Sequence, residues 1–135
     1  MEMKLMRHQD HDDDDEFLQN LPLKTMDEFN FFDEELNNKS IRKILHNHLT
    51  GIGGRDGRNI VRSIAKRLFS KELAKNFSWF GQKGNRNLSL TNIGKAIMRA
   101  AKREKPVICE RDVIHVMIDF LRHCKDKPRN RQQQQ

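Results

Sequence analysis

The stretch VRSIAKRLFSKELAKNFSWFGQKG, residues 61–84, decides the fold. Its first part keeps apolar residues at helical intervals. Counting the residue just before it, Ile60, Ile64 and Leu68 share one face, and Val61, Ala65 and Phe69 lie beside them. The pattern predicts a helix over 57–69, which Asp56 is placed to cap. Ser70 is placed to cap a short helix running through Leu73, Ala74 and Phe77. The segment SWFGQKGNRNLSL, residues 78–90, holds two glycines, one tryptophan and two bases, and reads as a loop. In it, Trp79 and Phe80 are expected to close the core with one ring and lie over it as a lid with the other.

Upstream and downstream of this stretch the period stays helical. Thr25 precedes Glu28 by three residues, a capping box, and Met26, Phe29, Phe32 and Leu36 then share one face of a helix over 26–36. A second helix is expected over 40–50, burying Ile41, Ile44, Leu45 and Leu49, with Gly51 ending it. Thr91 or Asn92 caps a helix to about residue 104, apolar at Ile93, Ile97, Ala100 and Ala101 and stopped by Pro106. The last helix spans 110–124, apolar at Val113, Val116, Met117, Phe120, Leu121 and Cys124. No run of four or more residues alternates as a strand would. The fold class expected is all-α: a compact bundle of about five or six short helices, without internal repeats.

Charge divides the 135-residue chain unevenly. Residues 1–36 hold 12 acids and 3 bases, a net of −9, whereas residues 37–135 hold 23 bases and 7 acids, a net of +16. The block HDDDDE repels itself and has little to bury, so residues 1–20 are expected to be a disordered acidic tail. KDKPRNRQQQQ reads as a basic, Gln-rich tail, disordered over 126–135, which leaves 21–125 as the folded domain.

Several function classes lack their signature. No apolar run approaches the roughly 18–20 residues that span a bilayer, and acids crowd the place where a signal peptide would carry its apolar region. Two cysteines, Cys109 and Cys124, are too few for a disulfide scaffold, so an intracellular chain with reduced thiols is expected. No G-x-S-x-G, H-E-x-x-H or phosphate-loop motif occurs, and GIGGRDG at 51–57 has neither the preceding strand nor the lysine of such a loop. It reads as helix punctuation, although Arg55 and the amides of the next helix could hold a phosphate. His46 and His48 point to different helix faces, and no C-x-x-C pair exists to nucleate zinc. No enzyme activity, cofactor, metal site or small-molecule substrate is expected.

Basic stripes carry more information. Arg55, Arg58, Arg62 and Lys66 fall at spacings of three, four and four on the third helix; Lys95, Arg99 and Lys102 fall at four and three on the fifth, with Arg103 beside them. Stacked like charges cost a helix about 0.2–0.5 kcal/mol per pair, and no acid lies within the third-helix stripe. A solvated helix face is the plain alternative. Two stripes and a net of +16 favour an anion-binding surface instead. Lys83 and Arg86 add loop bases between glycines, and Gln82, Asn85 and Asn87 add hydrogen-bond donors.

LPLKT at 21–25, GIGG at 51–54, the stretch 61–84 and DFLRH at 119–123 resemble a metazoan family abundant in insects, domain of unknown function 4806. The likeness covers about residues 21–125; the family's name supplies no activity. A second resemblance is to the BEN domain, in the order Leu68-Phe69, Glu72-Leu73, the glycine-lysine loop 81–84, Leu88, Ile93 and Ile97. It implies an all-α module of chromatin and transcription factors, several of which bind DNA through the C-terminal helix and adjoining loops. Carried over by position, it implicates Lys83, Arg86 and the helices after them. The acidic first helix and LPLKT lie outside the BEN pattern.

The expected function is therefore a DNA-binding module of a nuclear, chromatin or transcription-regulatory protein. Duplex DNA would be held by Arg62, Lys66, Lys83, Arg86, Lys95, Arg99, Lys102 and Arg103, with Arg111 and Arg122 as further candidates. The alternative is a protein-interaction or homodimerisation module, using Phe29, Phe31 and Phe32 with their acidic flank. HDDDDE is expected to compete with phosphates for the basic surface in cis.

Overall fold

A computed structural model describes residues 16–102 and 108–126. In chain order these form α1 (Met26–Glu35), α2 (Lys39–Thr50), α3 (Gly57–Leu68), α4 (Lys71–Ala74), β1 (Phe77–Ser78), β2 (Arg86–Asn87), α5 (Asn92–Ala101) and α6 (Glu110–Lys125). Single 3-10 turns lie at Gln82–Gly84 and Leu88–Leu90. The all-α expectation holds, and the helix bounds fall within a few residues of those read from the sequence.

Side chains set most helix starts. Thr25 accepts from the Glu28 amide at 3.1 Å, and Glu28 reaches back to the Lys24 amide at 2.8 Å, closing the capping box. Asp56 caps α3 through the Asn59 amide (2.8 Å), Ser70 caps α4 through Leu73 (3.1 Å), and Thr91 caps α5 through Gly94 (2.9 Å). Each accepts a hydrogen bond from an amide that has no partner inside its helix. Helix α5 has a second cap from afar, because the Asp33 carboxylate of α1 accepts from the Ile93 amide at 2.7 Å. Arg42 closes the other end of α1, donating to the Leu36 and Asn37 carbonyls.

Packing centres on α3 and α5. Helix α3 lies along α6, α2 lies along α5, and α3 touches α5 between them. Val61, Ile64, Ala65 and Leu68 of α3 and Ile93, Ile97 and Ala100 of α5 are all fully buried. An aromatic cluster closes one end: the Phe29 and Phe77 rings lie 4.6 Å apart, and Phe69 and Phe77 lie 5.6 Å apart. LPLKT acquires a structural role here. Leu23 is buried, its amide donates to Leu68 and its carbonyl accepts from Ser70, both at 2.9 Å, so the segment pairs with the chain leaving α3.

The structure corrects four expectations. Residues 16–19 form a helical turn, and the Phe17 ring stacks on Phe32 at 4.3 Å, so packed chain begins before Leu21. Phe77 belongs to no helix. It pairs with Arg86, and Ser78 with Asn87, in a two-residue parallel ladder too short for an alternating pattern to reveal. Trp79 is buried, as one of the pair was expected to be, but Phe80 is 51% exposed and covers little. Asp112 of α6 bonds Arg58 at 3.1 Å, so the third-helix stripe does meet an acid, 54 residues away in sequence. The HDDDDE block up to residue 15, Arg103, Pro106 and the Gln-rich tail lie outside the described residues.

Candidate nucleic-acid interface

The loop between β1 and β2 is tightly held. Gly81 (φ 79°), Lys83 (φ 56°) and Gly84 (φ 77°) take left-handed backbone conformations. For Lys83 this is uncommon in a residue with a side chain. The Gln82 amide donates to Ser78 Oγ at 2.7 Å, Asn85 Nδ2 donates to the Gln82 carbonyl at 2.9 Å, and Asn87 Nδ2 donates to the Phe80 carbonyl at 3.2 Å. Asn85 and Asn87, read from the sequence as donors for a ligand, thus spend donors on the loop itself.

One cleft, of about 370 Å³, lies between this loop and α6. Lys83, Gln82 and Asn85 form one side, and Ile118, Arg122 and Lys125 the other. Lys125 is largely structural. Its ammonium donates to the Phe77 carbonyl and, at 3.4 Å, to that of Leu121, and burial pushes its pKa down. Lys83 and Arg122 are the exposed cations of the cleft.

A second groove, of about 520 Å³, runs between α3 and α6. Arg62 and Lys66 come from α3 and Lys71 from the start of α4, opposite Asp119, Phe120 and His123. At 100° per residue, 118, 121, 122 and 125 lie on one flank of α6, and 119, 120, 123 and 124 on the other. The helix end therefore separates two cation-bearing hollows. Cys124 lies beneath the second. Burial raises its thiol pKa against the opposing pull of Lys71, Lys125 and Lys75, so it packs as a neutral group.

Of the fifth-helix stripe, Lys95, Arg99 and Lys102 are described, and all three are exposed. Lys95, Arg99 and Lys102 line a shallow groove with Met98, apart from the two hollows at α6. Among the described residues no carboxylate forms an ion pair with Arg62, Lys66, Lys71, Lys83, Lys95, Arg99 or Lys102. Arg86 differs. Its guanidinium bonds Asn30 Oδ1 and lies 5.3 Å above the Phe29 ring, which ties the loop to α1. Beside Arg55, the Asn59 side chain accepts from the Arg55 amide and Asp56 accepts from the Asn59 amide, and the Asp56 carboxylate brings negative charge to this helix start. Sequence reasoning missed Lys71 and His123. Their approach depends on how α6 packs against α3 and α4, and no local spacing signals it.

The imidazole of His48 has a lowered pKa. Burial first, then the neighbouring Arg67, hold it below its ordinary 6.5. Arg67 Nη1 lies 3.1 Å from Nε2 and can only donate, so the neutral ring is the accepting form. A lowered folded pKa means that this stabilisation is complete above pH 6.5 and fades as pH falls below it. His48→Gln is expected to flatten the loss of melting temperature between about pH 6.5 and 5, read by circular dichroism at both values.

Among the described residues no helix is long and apolar enough to cross a membrane, and no three His, Cys, Asp or Glu side chains are grouped to hold a metal ion. Fold and site define a small helical module with cation-lined hollows around a hydrophobic core. Residues 17–110 match the family described as Domain of unknown function (DUF4806), and the chain belongs to that family. The match stops at the first residue of α6, the helix that walls both hollows. No curated protein and no solved structure matches the chain, and the BEN resemblance has no counterpart among the matches.

Proposed function

We propose that this domain binds duplex DNA, as part of a nuclear protein acting in chromatin or transcription. One observation carries the reading: exposed cations lie on both sides of the end of α6 and a separate strip lies on α5, and all of them but Arg122 lack an acidic partner among the described residues. Unpaired cations at this density repel one another, and a phosphate backbone relieves the repulsion. Lys83 and Arg122 would take a phosphate in the first cleft. Arg62, Lys66 and Lys71 would take the backbone in the second, and Lys95, Arg99 and Lys102 would extend the footprint. Gln82 and the arginines are the groups able to read base edges, where a bidentate contact contributes about 1–3 kcal/mol of discrimination. Arg86 would act indirectly, by holding the loop in place.

Selection from random duplexes with the full chain tests the proposal. Enrichment of a motif, or retention without a motif, fits specific or non-specific DNA binding. Failure to retain any duplex at low salt would refute it.

A second reading, a protein-interaction module, is favoured by one observation: Phe31 stands 66% exposed among acids.

A further inference from the structure

Helix α1 buries Phe29 and Phe32 and turns a different face outward. Asp27, Phe31, Glu34 and Glu35 lie at successive intervals of four, three and one, on one side of the helix, and all four are exposed. None of the three carboxylates has an ion-pair partner among the described residues. Their neighbours have other work: Asp33 caps α5, and Glu28 closes the box at Lys24. The result is an acidic strip around one aromatic knob.

The groove between α3 and α6 is its complement. Arg62, Lys66 and Lys71 supply the positive wall, with partly buried Phe120 and buried Cys124 inside it. Asp119 does little against an incoming acid, since Arg122 lies 3.8 Å from its carboxylate. Within one chain the two surfaces do not meet. Phe31 borders a different hollow, beside Leu23 and Glu28.

We propose that this groove receives α1 of a second copy of the chain. Phe31 seats against Phe120, and Asp27, Glu34 and Glu35 face Arg62, Lys66 and Lys71. The two patches differ, so exchange in both directions closes a two-fold dimer and exchange in one direction builds larger species. The contact shares Arg62, Lys66 and Lys71 with the proposed DNA surface, yet it does not depend on DNA binding.

Sedimentation velocity of the full chain without DNA, across a range of protein concentrations, tests it. The expected result is association that grows with concentration at about 0.1 M salt and weakens at about 1 M, where screening is short-ranged. Phe31→Ser, an exposed position that leaves the fold intact, should weaken association about thirtyfold, as loss of an interfacial aromatic anchor does. Glu34→Lys with Glu35→Lys should abolish it, and adding Arg62→Glu with Lys66→Glu should restore it. A chain that stays monomeric throughout would overturn the proposal. So would a Phe31→Ser protein that associates like the wild type, or reversed charges that fail to restore association. Loss of DNA binding in any of these variants leaves the readout untouched.

Discussion

Replacing Gly94 with alanine is expected to lower the unfolding free energy by roughly 3 kcal/mol, at the upper end of ordinary overpacking costs. For a domain of this size that is a fall of roughly 10–20 °C in melting temperature. The new Cβ would stand 2.0 Å from the Leu88 carbonyl oxygen and 2.9 Å from its carbon. Both belong to backbone, so no flexible side chain can yield. The same carbonyl accepts from the Thr91 hydroxyl at 2.7 Å, and that hydroxyl accepts from the Gly94 amide at 2.9 Å. The start of α5 must shift as a unit, and with it Ile93 and Ile97 in the core. Gly53→Ala is the control: its Cβ would meet nothing within 4 Å, and its melting temperature should match the wild type. A Gly94→Ala protein melting within about 2 °C of wild type, a shift of well under 1 kcal/mol, would show this account of the α5 start to be wrong.

The second large effect is on binding. Changing Arg62, Lys66, Lys83 and Arg122 together to alanine should weaken DNA binding about a hundredfold. Four exposed charge contacts at about 0.7 kcal/mol each give that figure. All four side chains are exposed and none supports the core, so the melting temperature should hold or rise as repulsion is relieved. Arg86→Ala should show the reverse pattern, with stability lost through its Asn30 and Phe29 contacts. Fluorescence anisotropy and thermal melts on the same samples separate the two outcomes. Equal affinity in the quadruple variant and the wild type would remove these side chains from the interface.

Helix starts were legible because their signals are local. Thr25, Asp56, Ser70 and Thr91 each act within three residues, and the apolar faces of α3 and α5 recur at a fixed interval. The fifth-helix stripe was legible for the same reason. What escaped is non-local. Arg86 reaches 56 residues back to Asn30, and Arg58 finds Asp112 54 residues on. The β1–β2 ladder is two residues long and has no period to detect. Lys71 and His123 gain meaning only once α6 lies against α3 and α4. Leu90 shows the opposite error that composition invites: it is a large apolar residue, yet 72% exposed. Net charge located a basic module, but folding decided which bases stayed available. Of the eight sequence candidates, Arg86 is held by α1, Arg103 lies outside the described residues, and the other six stay without an acidic partner.

The most direct test of the DNA-binding proposal is the salt dependence of duplex binding by the full chain. Roughly six neutralised phosphates predict a slope of log K on log salt near −5. A slope in that range, reduced by about 0.9 for each cation removed from the clefts, is the predicted result. A slope near zero, or no binding to any duplex at low salt, would contradict it.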